Sequence, residues 1–182
     1  VPDACMDILW NGRQLLVAGP DTAPVSLALP GGTRIVGVRF LPGAGGPLLG
    51  TPASALCDAR VPLTELWGDA ARTLEDGLEQ AGDVHAAWRL LERALEGRHA
   101  QAAAVDPLMR AVLAWLQPYA AESSSVAALA QRAGVSERQL LRRARAAFGY
   151  GPKLLTRILR FQALRAALRA RPQASLAQLA LE

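Results

Sequence analysis

The sequence predicts an α+β protein in which a small antiparallel β region is followed by helices and then by an all-α helix-turn-helix region with a long linker helix. Three observations support this fold class and the division of the chain into two regions. Short apolar runs separated by tight turns fill residues 1–40, which is typical of antiparallel strands. From Asp69 onward the apolar spacing becomes helical. After residue 122 the balance of charge changes sign.

Four strands are predicted in the β region. Asn11 and Gly12 form a hairpin signal between residues 5–10 and residues 14–19, because both central residues tolerate positive φ. Residues 25–30 and 34–40 alternate apolar and small or polar side chains, which adds two further strands. The four together indicate a small sheet or part of a barrel.

A segment rich in Gly and Pro, residues 41–50, follows the strands. It lacks the Lys-Ser/Thr pair of a nucleotide phosphate-binding loop, and its two prolines have no backbone N–H to offer a phosphate. We therefore expect a loop that leads into a short helical turn. Two more short helical turns are predicted near residues 51–56 and 62–68, where Thr, Ser and Pro stand at starting positions.

Three amphipathic helices are predicted over residues 69–82, 83–97 and 106–117. Asp83 and Asp106 stand where N-caps are expected, and Pro107 suits a first helical turn. Apolar residues recur every three or four positions and predict one buried stripe for each helix. The predicted stripes are Ala70, Leu74 and Leu78; Val84, Trp88, Leu91 and Leu95; and Leu108, Val112, Leu113 and Leu116.

The charge is divided unevenly along the chain. Residues 1–122 contain nine Lys or Arg and fourteen Asp or Glu, whereas residues 123–182 contain eleven and two. Such asymmetry suggests two domains with different partners. Pro118 and the small polar residues after it suggest a linker, and we place the boundary at residue 120, which gives a β-then-helical region over residues 1–120 and a basic region over residues 121–182.

The basic region has the pattern of a helix-turn-helix over residues 125–148. Ser125 is the expected cap of a first helix, Gly134 its end, and Ser136 the cap of a second helix. The apolar Val135 side chain is expected to pack between the two helices at the turn. On the second helix Leu140, Ala144 and Phe148 recur every four residues, so they should form the inward stripe. The alternative is an ordinary Arg-rich helical hairpin.

The opposite side of the second helix predicts contact with double-stranded DNA. Arginine pairs with guanine O6 and N7, glutamine pairs with adenine, and a recognition helix presents its first turns to the base edges. Arg138, Gln139 and Arg142 occupy those turns, whereas Arg143 and Arg145 flank them and suit phosphate. The predicted DNA-binding residues are Ser136, Arg138, Gln139, Arg142, Arg143 and Arg145.

A long helix and an internal repeat follow. Residues 152–170 are predicted as one linker helix that begins at Pro152. Residues 175–182 repeat the pattern with which the first helix begins at Ser125, fifty residues earlier.

Residues from about 123 to the end resemble the DNA-binding region of the AraC family of bacterial transcription regulators, in which a linker helix joins two helix-turn-helix units. The first part of the chain is similar to the N-terminal region of a subgroup with a cupin-like β portion. The resemblance implies a sequence-specific regulator with Arg138 and Arg142 facing bases. It also implies that the second unit, and so the chain, is incomplete. The sign of regulation stays open.

The sequence leaves two roles open for the N-terminal region. It would bind a small-molecule effector, or it would form the interface of a homodimer. Trp10, Phe40 and Trp67 would line an effector pocket, although aromatic residues in a small chain more often belong to the core.

Two other function classes compete with DNA binding. Asp3, Asp7 and Asp21 would be the acids of an enzyme, but no His or Lys partner or nucleophile motif accompanies them, so we expect no catalytic residues. The acidic helical faces would suit an adaptor that binds another protein such as RNA polymerase.

The remaining composition predicts a cytoplasmic protein without cofactor, metal or membrane segment. Cys5 and Cys57 have apolar neighbours and are expected to be buried free thiols. His85 and His99 stand fourteen residues apart without a CxxC or HxxxH motif.

Overall fold

A four-stranded antiparallel sheet forms the first part of the computed structural model, which describes residues 1–26, 28, 30–117 and 125–173. The strands lie in the order β3-β1-β2-β4. Their bounds are Met6–Trp10 (β1), Leu15–Ala18 (β2), Val36–Phe40 (β3) and Arg60–Pro62 (β4). The α+β fold class is confirmed.

The predicted hairpin joins β1 and β2. Asn11 fixes its turn, because its Oδ1 accepts hydrogen bonds from the backbone N–H of Arg13 and Gln14, each at 3.0 Å. Ile8 pairs with Val17 in this hairpin and with Val38 of β3 on the other side. Alternate residues of β1 are buried, so one face of the sheet points into the core.

The prediction of a strand over residues 25–30 is wrong. The described residues Val25, Ser26, Ala28 and Pro30 lie outside every strand, while Leu27 and Leu29 lie outside the described residues. The β1–β2 hairpin is instead flanked by β3 and by β4, a strand that the sequence did not reveal. Three residues that end at Pro62 are too few to display an alternating pattern.

Eight α-helices and one 3₁₀ turn account for the rest of the described secondary structure. The glycine-rich segment contains a short helix, as predicted, and Asp83 and Asp106 both cap helices with their side chains. The bounds are Gly45–Leu49 (α1), Ala53–Ala55 (3₁₀), Leu63–Trp67 (α2), Asp69–Glu79 (α3), Val84–His99 (α4), Pro107–Leu116 (α5), Val126–Arg132 (α6), Glu137–Phe148 (α7) and Pro152–Ala170 (α8).

The first hydrophobic core lies between the sheet and helices α2 to α4. Trp10, Phe40 and Trp67 are all buried in it, so their predicted role as core residues is confirmed. The predicted stripe of α4 is partly wrong, since Val84 and Trp88 are 50% and 43% exposed. Helix α4 packs through a neighbouring stripe, whose fully buried members are Ala87 and Leu91.

The second core joins helices α5 to α8. Helix α5 contributes Met109, Val112 and Leu116, whereas the predicted Leu108 and Leu113 are only half-buried beside them. Helix α5 therefore packs with the helices that follow it, although it precedes the predicted boundary at residue 120. That boundary stays a prediction, because residues 118–124 lie outside the described residues.

The two halves of the protein are in direct contact. Ala4 is buried within the second core, and Cys57 packs against it. Gly149 ends α7 with a φ of +87°, a conformation that favours glycine. A Cβ on Gly149 would lie 2.5 Å from Cγ of Pro20, so the close approach of the β region also requires glycine here.

Candidate nucleic-acid interface

Helices α6 and α7 form the predicted helix-turn-helix, and local hydrogen bonds fix the start of α6 and the turn that follows it. The Ser125 Oγ accepts a hydrogen bond from Ala128 N–H at 3.1 Å, which caps α6. Gly134 has a φ of +64°, and Val135 N–H donates to the Ala130 carbonyl at 3.1 Å. Val135 packs against the second core, so its predicted position in the turn is confirmed.

The inner face of α7 holds the helix against the second core. Leu140, Ala144 and Phe148 are at most 1% exposed, as the four-residue spacing predicted. The Phe148 ring also lies against Gly43, where a Cβ would come within 3.0 Å of the ring. The rotation of α7 is therefore set by packing from both halves of the protein.

Three arginines occupy the outer face of α7. Arg138, Arg142 and Arg145 are exposed, and none of their guanidinium groups makes a hydrogen bond or ion pair to any residue that the structure describes. Free guanidinium groups on one helical face can contact an external anion without breaking internal bonds. Among the predicted DNA-binding residues, these three are the arginines whose guanidinium groups have no partner in the described part of the chain.

The outer face of α7 has a groove on each side. One groove, of about 930 Å³, separates α7 from Pro52 and Ser54 at the 3₁₀ turn. The other, of about 880 Å³, lies between α7 and the start of α8. Leu141 lines both grooves and is half-buried.

Arg143 differs from the other predicted phosphate ligand, Arg145. Its Nε donates to Oδ2 of Asp106 at 2.7 Å, and its second terminal nitrogen donates to Oδ1. The hydrogen bonds from Arg143 lower the pKa of the Asp106 carboxyl below its ordinary value of 3.8. Residue 143 lies beside the buried stripe of α7, so its guanidinium meets α5, and the prediction that it contacts phosphate is at odds with this internal pairing.

Ser136 and Gln139 form a capping box at the start of α7. Gln139 N–H donates to the Ser136 Oγ at 3.2 Å, while the Gln139 Oε1 accepts from Ser136 N–H at 3.0 Å. Adenine recognition by glutamine uses both the oxygen and the nitrogen of the amide. Because the oxygen is engaged in the cap, Gln139 reaches a base edge in this conformation only through its amide nitrogen.

Two cations that received no role from the sequence lie beside the outer face of α7. Lys153 and Arg157 line the groove between α7 and α8 together with Arg138 and Arg145. Their four-residue spacing next to Pro152 places them on one face at the beginning of α8. The spacing was readable, but only the packing of α8 shows which face lies next to α7.

The acidic candidates of the β region are held in ion pairs. Arg39 bridges Asp3 at 3.0 Å and Asp7 at 2.8 Å. Arg60 binds Asp21 through two hydrogen bonds of 2.7 and 2.9 Å. These carboxylates have internal cationic partners, which favours a structural role for them over acid catalysis.

The sequence also predicts two buried free thiols and neither a metal site nor a membrane segment. These predictions are compared below with the described part of the chain. Cys5 and Cys57 are free and half-buried rather than fully buried. Burial and the nearby Asp3 raise the pKa of the Cys5 thiol to about 11, so it is protonated at neutral pH. Within the described ranges, no three His, Cys, Asp or Glu side chains cluster as metal ligands. No described helix is both long and apolar enough to span a bilayer.

Comparison with known proteins gives one match. Residues 1–62 match a sequence family described as a domain of unknown function, DUF6597. The matched segment ends with the last residue of β4, so it contains the complete sheet and none of the helices α2 to α8. Neither the curated proteins nor the solved structures contain a significant match to the chain.

Proposed function

We propose that this protein is a sequence-specific transcription regulator of the AraC type that inserts helix α7 into the major groove of promoter DNA. The observation that carries the proposal is the division of α7 into two faces. Leu140, Ala144 and Phe148 anchor one face in the core, and the opposite face presents unpaired arginines. A helix held in this way is the usual reader of a major groove.

The arginines divide into two roles. Arg138 and Arg142 lie four residues apart in the first turns of α7, which suits hydrogen bonds to guanine. Arg145 lies further along the helix and would bind phosphate with Lys153 and Arg157 of the neighbouring groove. Contacts of the second kind supply affinity through counterion release and carry little sequence information.

Two lines of support are independent of this geometry. The basic region resembles the first helix-turn-helix and linker helix of AraC-family regulators. The domain that matches residues 1–62 is often found in AraC-type regulators. The repeat over residues 175–182, which the resemblance assigns to a second unit, lies outside the described residues.

Selection from a library of random DNA duplexes tests the proposal and identifies the operator sequence in the same experiment. We expect a recurring sequence to be enriched, and we expect its affinity for the protein to fall steeply with salt concentration. Arg142→Ala should weaken binding to the enriched duplex, whereas Arg13→Ala, which removes one charge from the exposed β1–β2 turn, should not. Equal retention of all duplexes, or equal loss in both variants, would contradict the proposal.

A second candidate is an adaptor that binds another protein, for example RNA polymerase. One observation favours it: Val84 and Trp88 lie one turn apart on α4 and are both exposed. Large exposed apolar side chains that adjoin each other often mark protein contacts. Capture of a protein partner that depends on Trp88 and is unaffected by Arg142→Ala would favour this function.

A further inference from the structure

A cavity of about 550 Å³ lies between the first half of the protein and the back of α7. Its walls come from three parts of the chain: the segment around α1, the end of α4 with the loop that follows it, and α7 itself. Most of the lining is apolar, and it includes Pro47, Leu48, Ala103, Ala146 and Ala147. Pockets for small molecules commonly have this size and composition, and they occur preferentially where domains meet.

Three charged side chains line the cavity: Arg98, Asp106 and Arg143. Asp106 and Arg143 neutralise each other in the ion pair described above. The Arg98 guanidinium stacks over the Trp67 ring, 4.6 Å from its centroid, and it has no carboxylate partner among the residues that the structure describes. Arg98 therefore brings a positive charge without a carboxylate partner to the boundary between this cavity and the neighbouring groove that contains Trp67.

We infer that this cavity binds a mostly apolar small molecule with one negative charge. The charged group would pair with Arg98, and the apolar body would pack against Leu48 and Ala147. Buried ligand charges require an opposite charge, and Arg98 is the lining group that can supply it. The sequence suggested an effector pocket within the β region, whereas this cavity lies outside the sheet. Binding here does not depend on the proposed DNA contacts.

Two fluorescent probes with the same aromatic skeleton test the charge requirement. 8-Anilinonaphthalene-1-sulfonate carries one sulfonate, and N-phenyl-1-naphthylamine carries none. We expect the sulfonate probe to bind the full chain more tightly than the neutral probe. Arg98→Gln should raise the Kd of the sulfonate probe about tenfold and change that of the neutral probe less than twofold, and Arg98→Lys should restore most of the affinity. Sulfonate binding that is unchanged by Arg98→Gln would overturn the inference.

A pair of matched substitutions tests the location. Ala103→Trp adds bulk to the wall of the cavity, whereas Ala100→Trp makes the same change three residues earlier at an exposed position outside the lining. We expect Ala103→Trp to weaken both probes at least fivefold and Ala100→Trp to leave them within twofold. Equal effects of the two changes would place the probes elsewhere.

A third variant covers the case in which Ala103→Trp fails to fold. Ala146→Phe fills the cavity from an exposed position of α7, and thermal unfolding shows whether each variant is folded. A folded Ala146→Phe protein that binds both probes with unchanged Kd would overturn the inference. None of these binding and unfolding measurements involves DNA. A failure of this inference can therefore be distinguished from a failure of the proposed function.

Discussion

The Arg143 guanidinium on α7 donates two hydrogen bonds to the Asp106 carboxylate, which also caps α5 through the N–H groups of Leu108 and Met109. The Asp106 carboxylate therefore caps the start of α5 and also holds α7 through Arg143. Because α7 carries the proposed DNA-reading face, this pair links the orientation of that face to the loop that precedes α5.

The pair should be energetically coupled. We expect Asp106→Asn and Arg143→Met each to lower the free energy of unfolding by about 1–2 kcal/mol, since each leaves a charged, partly buried group without its partner. The double variant should cost clearly less than the sum of the two, because the second change removes a group that is already unpaired. Denaturant unfolding of the four proteins measures the coupling. The exposed pair Asp69 and Arg72 is the control and should show almost none; additive losses for Asp106 and Arg143 would contradict the prediction.

The same carboxylate predicts a pH dependence. Its pKa in the folded protein lies below the ordinary value of 3.8, mainly because Arg143 donates hydrogen bonds to it. The unfolded chain therefore takes up the proton first as the pH falls, so the stability supplied by ionised Asp106 is complete above pH 3.8 and disappears as the pH falls through the lowered pKa. The stability difference between the natural protein and Asp106→Asn should shrink over this acidic range. If this stability difference stays constant down to the lowest pH at which the protein is folded, the ionised Asp106 carboxylate is not the source of the stability.

Alanine substitutions at two glycines with positive φ distinguish the cost of backbone strain from the cost of steric contact. At Gly134 a Cβ would meet no atom within 4 Å, so Gly134→Ala should cost only the strain of a left-handed residue, about 1–2 kcal/mol. Gly149→Ala should cost more, because its Cβ would also press on Pro20. Thermal unfolding of the two variants measures the difference. Equal losses would mean that the β region does not approach the end of α7 as closely as described.

The Ser136 hydroxyl, which the sequence predicts to bind DNA, caps α7. Ser136→Ala should lower stability by about 0.5–2 kcal/mol through loss of the cap. Ser136→Asp keeps a good cap and places a negative charge at the helix start, so it should preserve stability and weaken DNA binding. Unfolding and duplex titrations on both variants distinguish the roles; unchanged DNA affinity in Ser136→Asp would place this end of α7 away from phosphate.

The arginines of the outer face should differ in their effect on sequence preference. Arg142→Ala is expected to weaken binding to the selected duplex by about 1–3 kcal/mol and to relax the preference at one base pair. Arg145→Ala should weaken all duplexes alike and reduce the salt dependence. Fluorescence anisotropy with the selected duplex and a scrambled one measures both effects. If Arg142→Ala also weakens both duplexes equally, Arg142 is a phosphate contact and the assignment of base-reading residues is wrong.

The sequence alone determined the features that depend on neighbours within one or two helical turns. The caps at Asp83, Asp106, Ser125 and Ser136 and the buried stripe of α7 follow from interactions three or four residues apart, which leave a local pattern. The α+β order was readable for the same reason. The stripe of α4 was not fully readable, because two adjacent faces are apolar and only packing against α3 and β3 selects one.

Tertiary structure alone decided the pairings between distant residues. Arg143 and Arg145 receive the same predicted role from the sequence, yet the packing of α7 on α5 gives Arg143 a carboxylate 37 residues away and leaves the Arg145 guanidinium free. The pairing of β4 with β2 and the cavity behind α7 have the same origin. Such contacts depend on which surfaces meet when the chain is compact, and no spacing along the chain records that choice.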